Sequence, residues 1–557
     1  MASTWKWILG ILAILILGLI ITGSVLSRIG KPKVQQKLSQ QVNQASSGLY
    51  TVRFEDMDFQ LWSGTIALQH VELLVDTGIY TQLAKERRAP NVYFQGKLEE
   101  IRLQGINLWS LLMNKTLHAR RLFVNGLTLQ MQQSMEEVRD TVADHRSLYQ
   151  RVKSRLQEVN IHKIETRNLT MDWISNRPGH DTLRIHGLQA LGEHFLINAE
   201  SDADSTRIYY MKNVSLQLPA FTYDIPESPY NAQFDSLHFD SREARAEFHQ
   251  VEIQPRIPPL TYFKQDKENK ALIHLKWDRV TLEHMHPAEL MNRQLLWAER
   301  ATIGNGTAHF FKDKRYQKDT VNKIGEAPHQ QIMKMAQKIR FDTVWVEQID
   351  LLYQQHSDKH PAEGQITFQE ARGYISNLTN DSTRLTKDPV MRADLAASIM
   401  GQGLLQAQFG FEMLSPRGNH QYKGTLSSMP ATSFNRILRP LLNIEIESGN
   451  IKGIQFDIQA SDQRHQGEFR FDYDDFAVNI LRAPHASGAR DKKGILSFLA
   501  NKVLINDSNP DANGKYHIGQ IDYERVADYS HFKSIWKALQ DGILESMGIN
   551  PKYIPDF

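Results

Sequence analysis

Apolar and polar residues alternate in short runs from about Leu49 to Leu481, and this period of two is the dominant signal in the chain. Ile454-Gln-Phe456-Asp-Ile458-Gln-Ala460 and Phe469-Arg-Phe471-Asp-Tyr473 place apolar side chains on one face and polar ones on the other, as a half-buried strand does. Ser448-Gly449-Asn450 and Ser461-Asp462 punctuate the runs and suit tight connections between antiparallel neighbours. A weak tripeptide repeat (apolar, small or acidic, apolar) recurs at Val71-Glu-Leu73, Ile106-Asn-Leu108, Leu127-Thr-Leu129, Leu169-Thr-Met171, Val214-Ser-Leu216, Val251-Glu-Ile253, Val280-Thr-Leu282 and Ile349-Asp-Leu351. Its spacings, mostly 20 to 45 residues, predict strand pairs laid down in succession, none of which buries its own face alone. The expected body over residues 49–485 is mainly β: an elongated, curved antiparallel sheet of repeated strand units.

Helical spacing interrupts this pattern in a few places. Ser134 to Gln157 lacks Gly and Pro and carries Val138, Val142, Leu148, Val152 and Leu156 as a narrow stripe, which predicts a surface helix near 134–157. Pro287 sits at a favourable first-turn position, so a second helix is expected near 287–300. A third is expected near 326–340. The last segment, 486–557, is expected to be helical, and its clearest stretch runs from Tyr529 to Gly548. There Phe532, Ile535, Trp536, Leu539, Ile543, Leu544 and Met547 recur at three- and four-residue steps, an apolar face that needs cover from the body, a partner or a membrane surface.

One segment differs in kind. Trp7 to Leu26 holds 20 consecutive uncharged, mostly apolar residues, enough for a helix across a bilayer core of about 30 Å. Its length and the absence of an Ala-x-Ala site favour a retained anchor over a cleaved signal peptide. The expected organisation is therefore an anchor (1–27), a polar stalk or short helix (28–48) and the β body. Lys6 lies before the anchor and Arg28, Lys31, Lys33 and Lys37 after it. Read literally, those charges place the body in the cytoplasm, but long following domains translocate largely regardless of charge, so orientation stays open at this point.

Composition removes several function classes. Lys and Arg (65) balance Asp and Glu (63), which gives no electrostatic case for nucleic acid. The absence of cysteine excludes disulfides, thiolate catalysis and Cys-ligated metal sites. No Gly-x-Ser-x-Gly, Gly-x4-Gly-Lys-Ser/Thr, Gly-x-Gly-x-x-Gly after a strand or His-Glu-x-x-His motif occurs. Two histidine pairs, His284/His286 and His356/His360, invite a metal reading, but neither has a convincing third ligand and both are expected to be solvated turn residues. Asp472, Asp474 and Asp475 fall on the polar phase and turn of a strand, so a structural role is expected of them as well. No catalytic residue, metal or cofactor is expected.

Further motifs resemble the AsmA-like family of bacterial envelope proteins. They include Trp62-Ser-Gly64-Thr-Ile66-Ala-Leu68-Gln-His-Val71-Glu-Leu73, Ile101-Arg-Leu103-Gln-Gly105-Ile106-Asn-Leu108 and Ala119-Arg-Arg-Leu122-Phe-Val124-Asn-Gly126-Leu127-Thr-Leu129, followed by looser matches over 407–413, 424–430, 444–460 and 467–481. The resemblance implies a single-pass inner-membrane protein with a periplasmic body and a β-groove that binds or transfers phospholipid acyl chains in outer-membrane homeostasis, without enzymatic activity. Ile454, Phe456, Ile458, Phe469, Phe471, Val478 and Ile480 are the candidate groove or core face. Phe532, Ile535, Trp536, Leu539, Ile543 and Met547 are the candidate face toward a partner or membrane. The alternative is a scaffold that binds other envelope proteins through sheet edges and the terminal helix.

Overall fold

Alternation along the chain produces strands of up to 19 residues in the computed structural model. The structure describes residues 31–549 except 134–146, 176–182, 358–362, 482–505 and positions 61, 87, 91, 155, 226–227, 269 and 317–319. The Trp7–Leu26 segment lies outside the described residues. No described helix is long and apolar enough to cross a membrane. Strand (56%) far exceeds helix (19%), so the chain is mainly β. It divides into two compact units, Met1–Gln250 and Val251–Phe557.

In the first unit, α1 (Lys31–Ala45) precedes β1 (Tyr50–Arg53) and β2 (Asp56–Gln60), consecutive strands that pair antiparallel with successive stretches of β3 (Thr65–Val75). Then come α2 (Thr77–Lys85), β4 (Val92–Gln104) and α3 (Leu108–Asn114). A second broken pair, β5 (Thr116–Asn125) and β6 (Thr128–Gln133), lies antiparallel to β4. After α4 (Leu148–Val152) the chain returns as β7 (Glu158–Ser175), which runs parallel to β5 and β6. β8 (Leu183–Ile197), α5 (Ala199–Ala203), β9 (Asn213–Leu218), β10 (Ala220–Asp224), β11 (Tyr230–Phe234) and β12 (Ser236–Asp240) follow, with β13 (Arg245–Pro255) crossing the unit boundary.

The second unit continues with α6 (Pro259–Gln265), β14 (Leu272–Met285), α7 (Pro287–Arg293), β15 (Leu295–Ile303), β16 (Gly306–Asp313) and α8 (Pro328–Lys334). β17 (Lys338–His356) runs parallel to both β15 and β16. Antiparallel neighbours complete it: β18 (Glu363–Thr379), α9 (Ser382–Leu385), β19 (Val390–Ile399), β20 (Gly403–Glu412), β21 (His420–Leu426), β22 (Met429–Pro430), α10 (Asn435–Leu442), β23 (Ile444–Ala460), β24 (Arg464–Ile480), β25 (Ile518–Glu524) and α11 (His531–Ser546). The sheets are therefore mixed, not purely antiparallel. Parallel neighbours need a crossover of a dozen or more residues, and the segments carrying α4 and α8 supply it.

The element order β1/β2–β3–α2–β4–α3–β5/β6–α4–β7–β8–α5 recurs as β11/β12–β13–α6–β14–α7–β15/β16–α8–β17–β18–α9. The register recurs with it. Asp56 faces Gln69 and Ser236 faces His249; the irregularities between Thr166, Leu169 and Met171 in β7 reappear at Val346, Ile349 and Leu351 in β17. Left-handed backbone recurs at Gly64 and Ala244, His70 and Gln250, Gly105 and His284, Lys115 and Gln294, always 179 or 180 residues on. The chain thus contains two copies of one unit of about 180 residues, a period read from these registers. Val71-Glu-Leu73 and Val251-Glu-Ile253 are the same site in the two copies, as are Leu169-Thr-Met171 and Ile349-Asp-Leu351. The period is several times longer than the tripeptide spacing predicts, because each copy lays down many strands before repeating.

The predicted helices shrink. α7 stops at Gln294, whose left-handed conformation turns the chain into β15, so 295–300 is strand. α8 ends before Met335, and β17 starts at Lys338. Only Leu148–Val152 of the 134–157 stretch is a described helix, closed by a capping box between Ser147 and Gln150; residues 134–146 lie outside the described residues. Short apolar runs such as Leu295-Leu296-Trp297-Ala298 fit either period, and pairing with β17 decides for strand. The 486–557 segment holds a strand, β25, as well as α11.

Polar composition also hides what α1 does. Leu38 and Val42, one turn apart, are buried with Tyr50, Val52 and Phe54 in the core of the first unit. From Lys31 on, the stretch expected as a stalk is thus part of the body. Replacing Leu38 with Ala should destabilise the first unit by about 2–5 kcal/mol, the range for emptying a fully buried leucine site. Denaturant unfolding followed by far-UV circular dichroism checks it; a change below the error of extrapolation would mean that α1 docks only loosely.

Candidate functional site

The face predicted from β23 and β24 is closed. Ile458, Phe469 and Phe471 are buried, and Ile454 and Phe456 pack half-buried against the same cluster. Ile454 faces Phe471, and Phe456 faces Phe469. Val478 and Ile480 lie half-buried farther along β24. α11 covers the Phe469 end by close approach: a Cβ on Gly542 would lie 2.5 Å from Phe469 Cβ, and one on Gly519 would lie 2.2 Å from the Gly542 carbonyl oxygen. Only small side chains fit there, and Ser546 Oγ donates to the Phe469 carbonyl at 3.3 Å.

That contact centres the small residues of α11 on the sheet and splits the expected apolar face. His531, Ser534, Ala538, Gly542 and Ser546 are buried, Met547 is buried just past the helix, and Ile535, Leu539 and Ile543 pack half-buried on the cluster. Phe532 is 67% exposed and Trp536 41%. The periodicity of large apolar residues located the helix. The narrow spacing to the sheet places the small residues at its centre, with Ile535, Leu539, Ile543 and Met547 beside them.

Beside α11 lies a group that spacing in the sequence could not reveal. His329 of α8, His420 of β21, His465 of β24 and His531 of α11 are all buried. The His420 ring lies 4.8 Å from His531 and 5.9 Å from both His329 and His465, centroid to centroid. His420 Nδ1 bonds the Gly418 carbonyl at 2.8 Å, and Tyr422 Oη meets His465 Nδ1 at 2.9 Å. Both ring nitrogens of His329, Nε2 of His420, Nε2 of His531 and Ser534 Oγ have no hydrogen-bond partner among the described residues. Next to them, Arg525 Nη1 donates to Asp462 Oδ1 at 2.6 Å, and Gln330 Nε2 donates to Asp462 Oδ2 at 2.7 Å.

Burial is the main force on these rings, with like-sign repulsion from neighbouring histidines and Arg525 adding to it. It holds His329 down to about 4, His465 to about 3 and His531 to about 2, and it lowers His420. The cluster is neutral near pH 7. No group of three or more His, Asp or Glu placed to hold a metal occurs among the described residues. His286 instead stacks on Trp297 at 3.6 Å, and His356 pairs with Glu363 at 2.6 Å; His360 lies outside the described residues. Asp474 pairs with Lys452 at 2.9 Å, Asp475 occupies a left-handed bulge, and Asp472 is exposed, all structural placements.

A less closed apolar surface lies in the first unit, on β8 to β13. Ile185, Phe221 and Phe234 form one cross-strand row; Leu218, Leu237 and Phe248 form the next, and Leu216, Phe239 and Ala246 a third. Phe221 stacks on Phe234 at 5.1 Å, and Phe234 meets Phe248 edge-on at 5.4 Å. Leu218 and Ala246 are buried, but the rest are half-buried. The alternation that marks these residues is present in the sequence, though shorter than that of β23 and β24. No protein-family model matches the chain, and no characterised protein matches it in sequence.

Acid should destabilise the second unit. In the unfolded chain these histidines take a proton near pH 6.5, whereas in the fold they do not until far lower, so stability is full above about pH 6.5 and falls below it. Melting temperature measured from about pH 8 to pH 4 should drop in the acid half, and His329→Phe, which removes an unpartnered imidazole, should flatten that slope. Equal slopes in both proteins would show that the histidines do not govern it.

Proposed function

We propose that the chain is a non-enzymatic, membrane-anchored envelope protein whose β body binds or transfers phospholipid acyl chains. The half-buried rows around Phe221, Phe234 and Phe248 carry this reading. A sheet face lined with aromatic and aliphatic side chains gains free energy when acyl chains replace water over it, whereas the closed faces beneath α11 have nothing further to gain. The uncharged Trp7–Leu26 segment supports a single span, and the resemblance to AsmA-like proteins supports an inner-membrane location with the body in the periplasm. Absence of a recognised catalytic motif in the sequence is consistent with a carrier.

A second reading has its own observation. Phe532 and Trp536 stand exposed on α11, as a scaffold that grips another envelope protein would present them.

The full chain purified in detergent should carry phospholipid, extractable and countable by mass spectrometry. Phe234→Asp and Phe248→Asp should each remove most of it while leaving the melting temperature within a few degrees, since a half-buried site tolerates a charge better than a core one. Lipid retained by both variants would sink acyl-chain binding at these rows. A lipid-free chain that loses a bound protein on Phe532→Ser with Trp536→Ser would favour the scaffold.

A further inference from the structure

The two copies provide an internal control for what the fold itself requires. In the first copy, the turn between β2 and β3 holds Trp62, and α3 holds Trp109 and Met113; their exposures are 104%, 73% and 64%. These residues share one end of the sheet. Ile106 N–H donates to the Gly64 carbonyl at 2.9 Å, and a Cβ on Gly64 would lie 2.3 Å from the Ile106 carbonyl oxygen. The turn and the start of α3 are therefore in backbone contact. At 180 and 179 residues on, with the same turn, the same helix and the same left-handed cap, the second copy has Arg242, Ala288 and Asn292. The equivalent turn and the equivalent helix each form in the second copy without a tryptophan, although the helix exposes Leu290, so neither element by itself requires Trp62, Trp109 or Met113.

Charge changes together with them. Exposed Arg120 lies across Gly105, next to Ile106, and Lys115 caps α3; neither makes an ion pair among the described residues. Arg102 and Arg121 line the same depression of about 600 Å³ as Arg120 and Ser63, although they are paired with Glu100 and Glu165, and Asp58 lines it too. The second copy has Thr281 for Arg102, Gln294 for Lys115 and Glu299 for Arg120. Thus the first copy has two tryptophans, a methionine and two unpaired cations at positions where the second has none of these; the second copy's Arg242 and Arg293 are paired with Glu193 and Glu289.

We propose that this corner of the first copy seats on the surface of an anionic phospholipid bilayer. Tryptophan combines an apolar body with one N–H donor and settles at the boundary between headgroups and acyl chains; methionine fills irregular apolar space. Arg120 and Lys115 then face lipid phosphates, which attract each unpaired basic group near the surface. A protein partner matching this corner would need an acidic rim around a hydrophobic socket, and a bilayer supplies that combination over any footprint. The proposal rests on the chain being held at a membrane, as a spanning anchor ahead of the first copy would hold it.

The chain contains no cysteine, so a single introduced one carries a probe unambiguously. An environment-sensitive fluorophore on Trp62→Cys or Trp109→Cys, in the full chain reconstituted into vesicles of phosphatidylcholine with phosphatidylglycerol, should shift to the blue and be quenched by brominated acyl chains. The same probe on Arg242→Cys or Ala288→Cys should stay water-exposed and unquenched. Omitting phosphatidylglycerol, or combining Arg120→Glu with Lys115→Glu, should remove most of the quenching at positions 62 and 109. Equal quenching at all four positions overturns the proposal, and so does a blue shift without lipid quenching, which would signify a protein contact. Carbonate extraction reports the anchor separately, because it strips peripheral contacts and leaves a spanning helix in place.

Discussion

Each copy hangs on one long strand, β7 or β17, whose two edges are occupied in different ways. One edge pairs in parallel with two consecutive shorter strands, and the other pairs antiparallel with a single long one. A parallel neighbour cannot be reached by a tight turn, so the chain must leave the sheet and return through a crossover. The paired partners break at Gly126–Leu127 in the first copy, where Gly126 is left-handed, and at Gly304–Asn305 in the second. The crossovers follow from how that central strand is flanked, and the bulges of β7 and β17 lie where its parallel partners change over.

Strands were legible wherever alternation ran for several residues, because a half-buried face requires it. Helix extents were not. Leu295-Leu296-Trp297-Ala298 satisfies both a helical and a strand period, and only the partner strand β17, more than forty residues later, settles the matter. The tripeptides read as a repeat of short strand units, and the duplication behind them was hidden by the many unrelated strands of similar spelling in between. Distance in sequence likewise concealed the histidine cluster, whose four members come from α8, β21, β24 and α11.

For α11 the sequence located the element and its large apolar residues, of which Ile535, Leu539, Ile543 and Met547 pack on the body while Phe532 and Trp536 stand exposed. Hydrophobic periodicity weighs large side chains, but the helix packs where Gly519 and Gly542 permit backbone-to-sheet contact and where Phe469 and Ile521 supply the apolar bulk. Steric fit at a few ångströms outweighs the summed preference of the larger residues. The same trade packs His531 of the helix with three histidines of other elements as neutral aromatic filling. They pack like small rings while keeping ring nitrogens that have no partner among the described residues, which ties the seating of α11 to proton concentration.

Tandem copies with one register also set a problem of self-recognition during folding. Strand β2 and strand β12 meet their partners in the same frame, Gln60 opposite Thr65 and Asp240 opposite Arg245, so the ladder of backbone hydrogen bonds cannot distinguish them. Only side chains can. Asp58 faces Ala67 in the first copy whereas His238 faces Glu247 in the second, so each strand has its own cross-strand pair, and divergence between the copies acts as an address that keeps each strand from docking into its sibling's place.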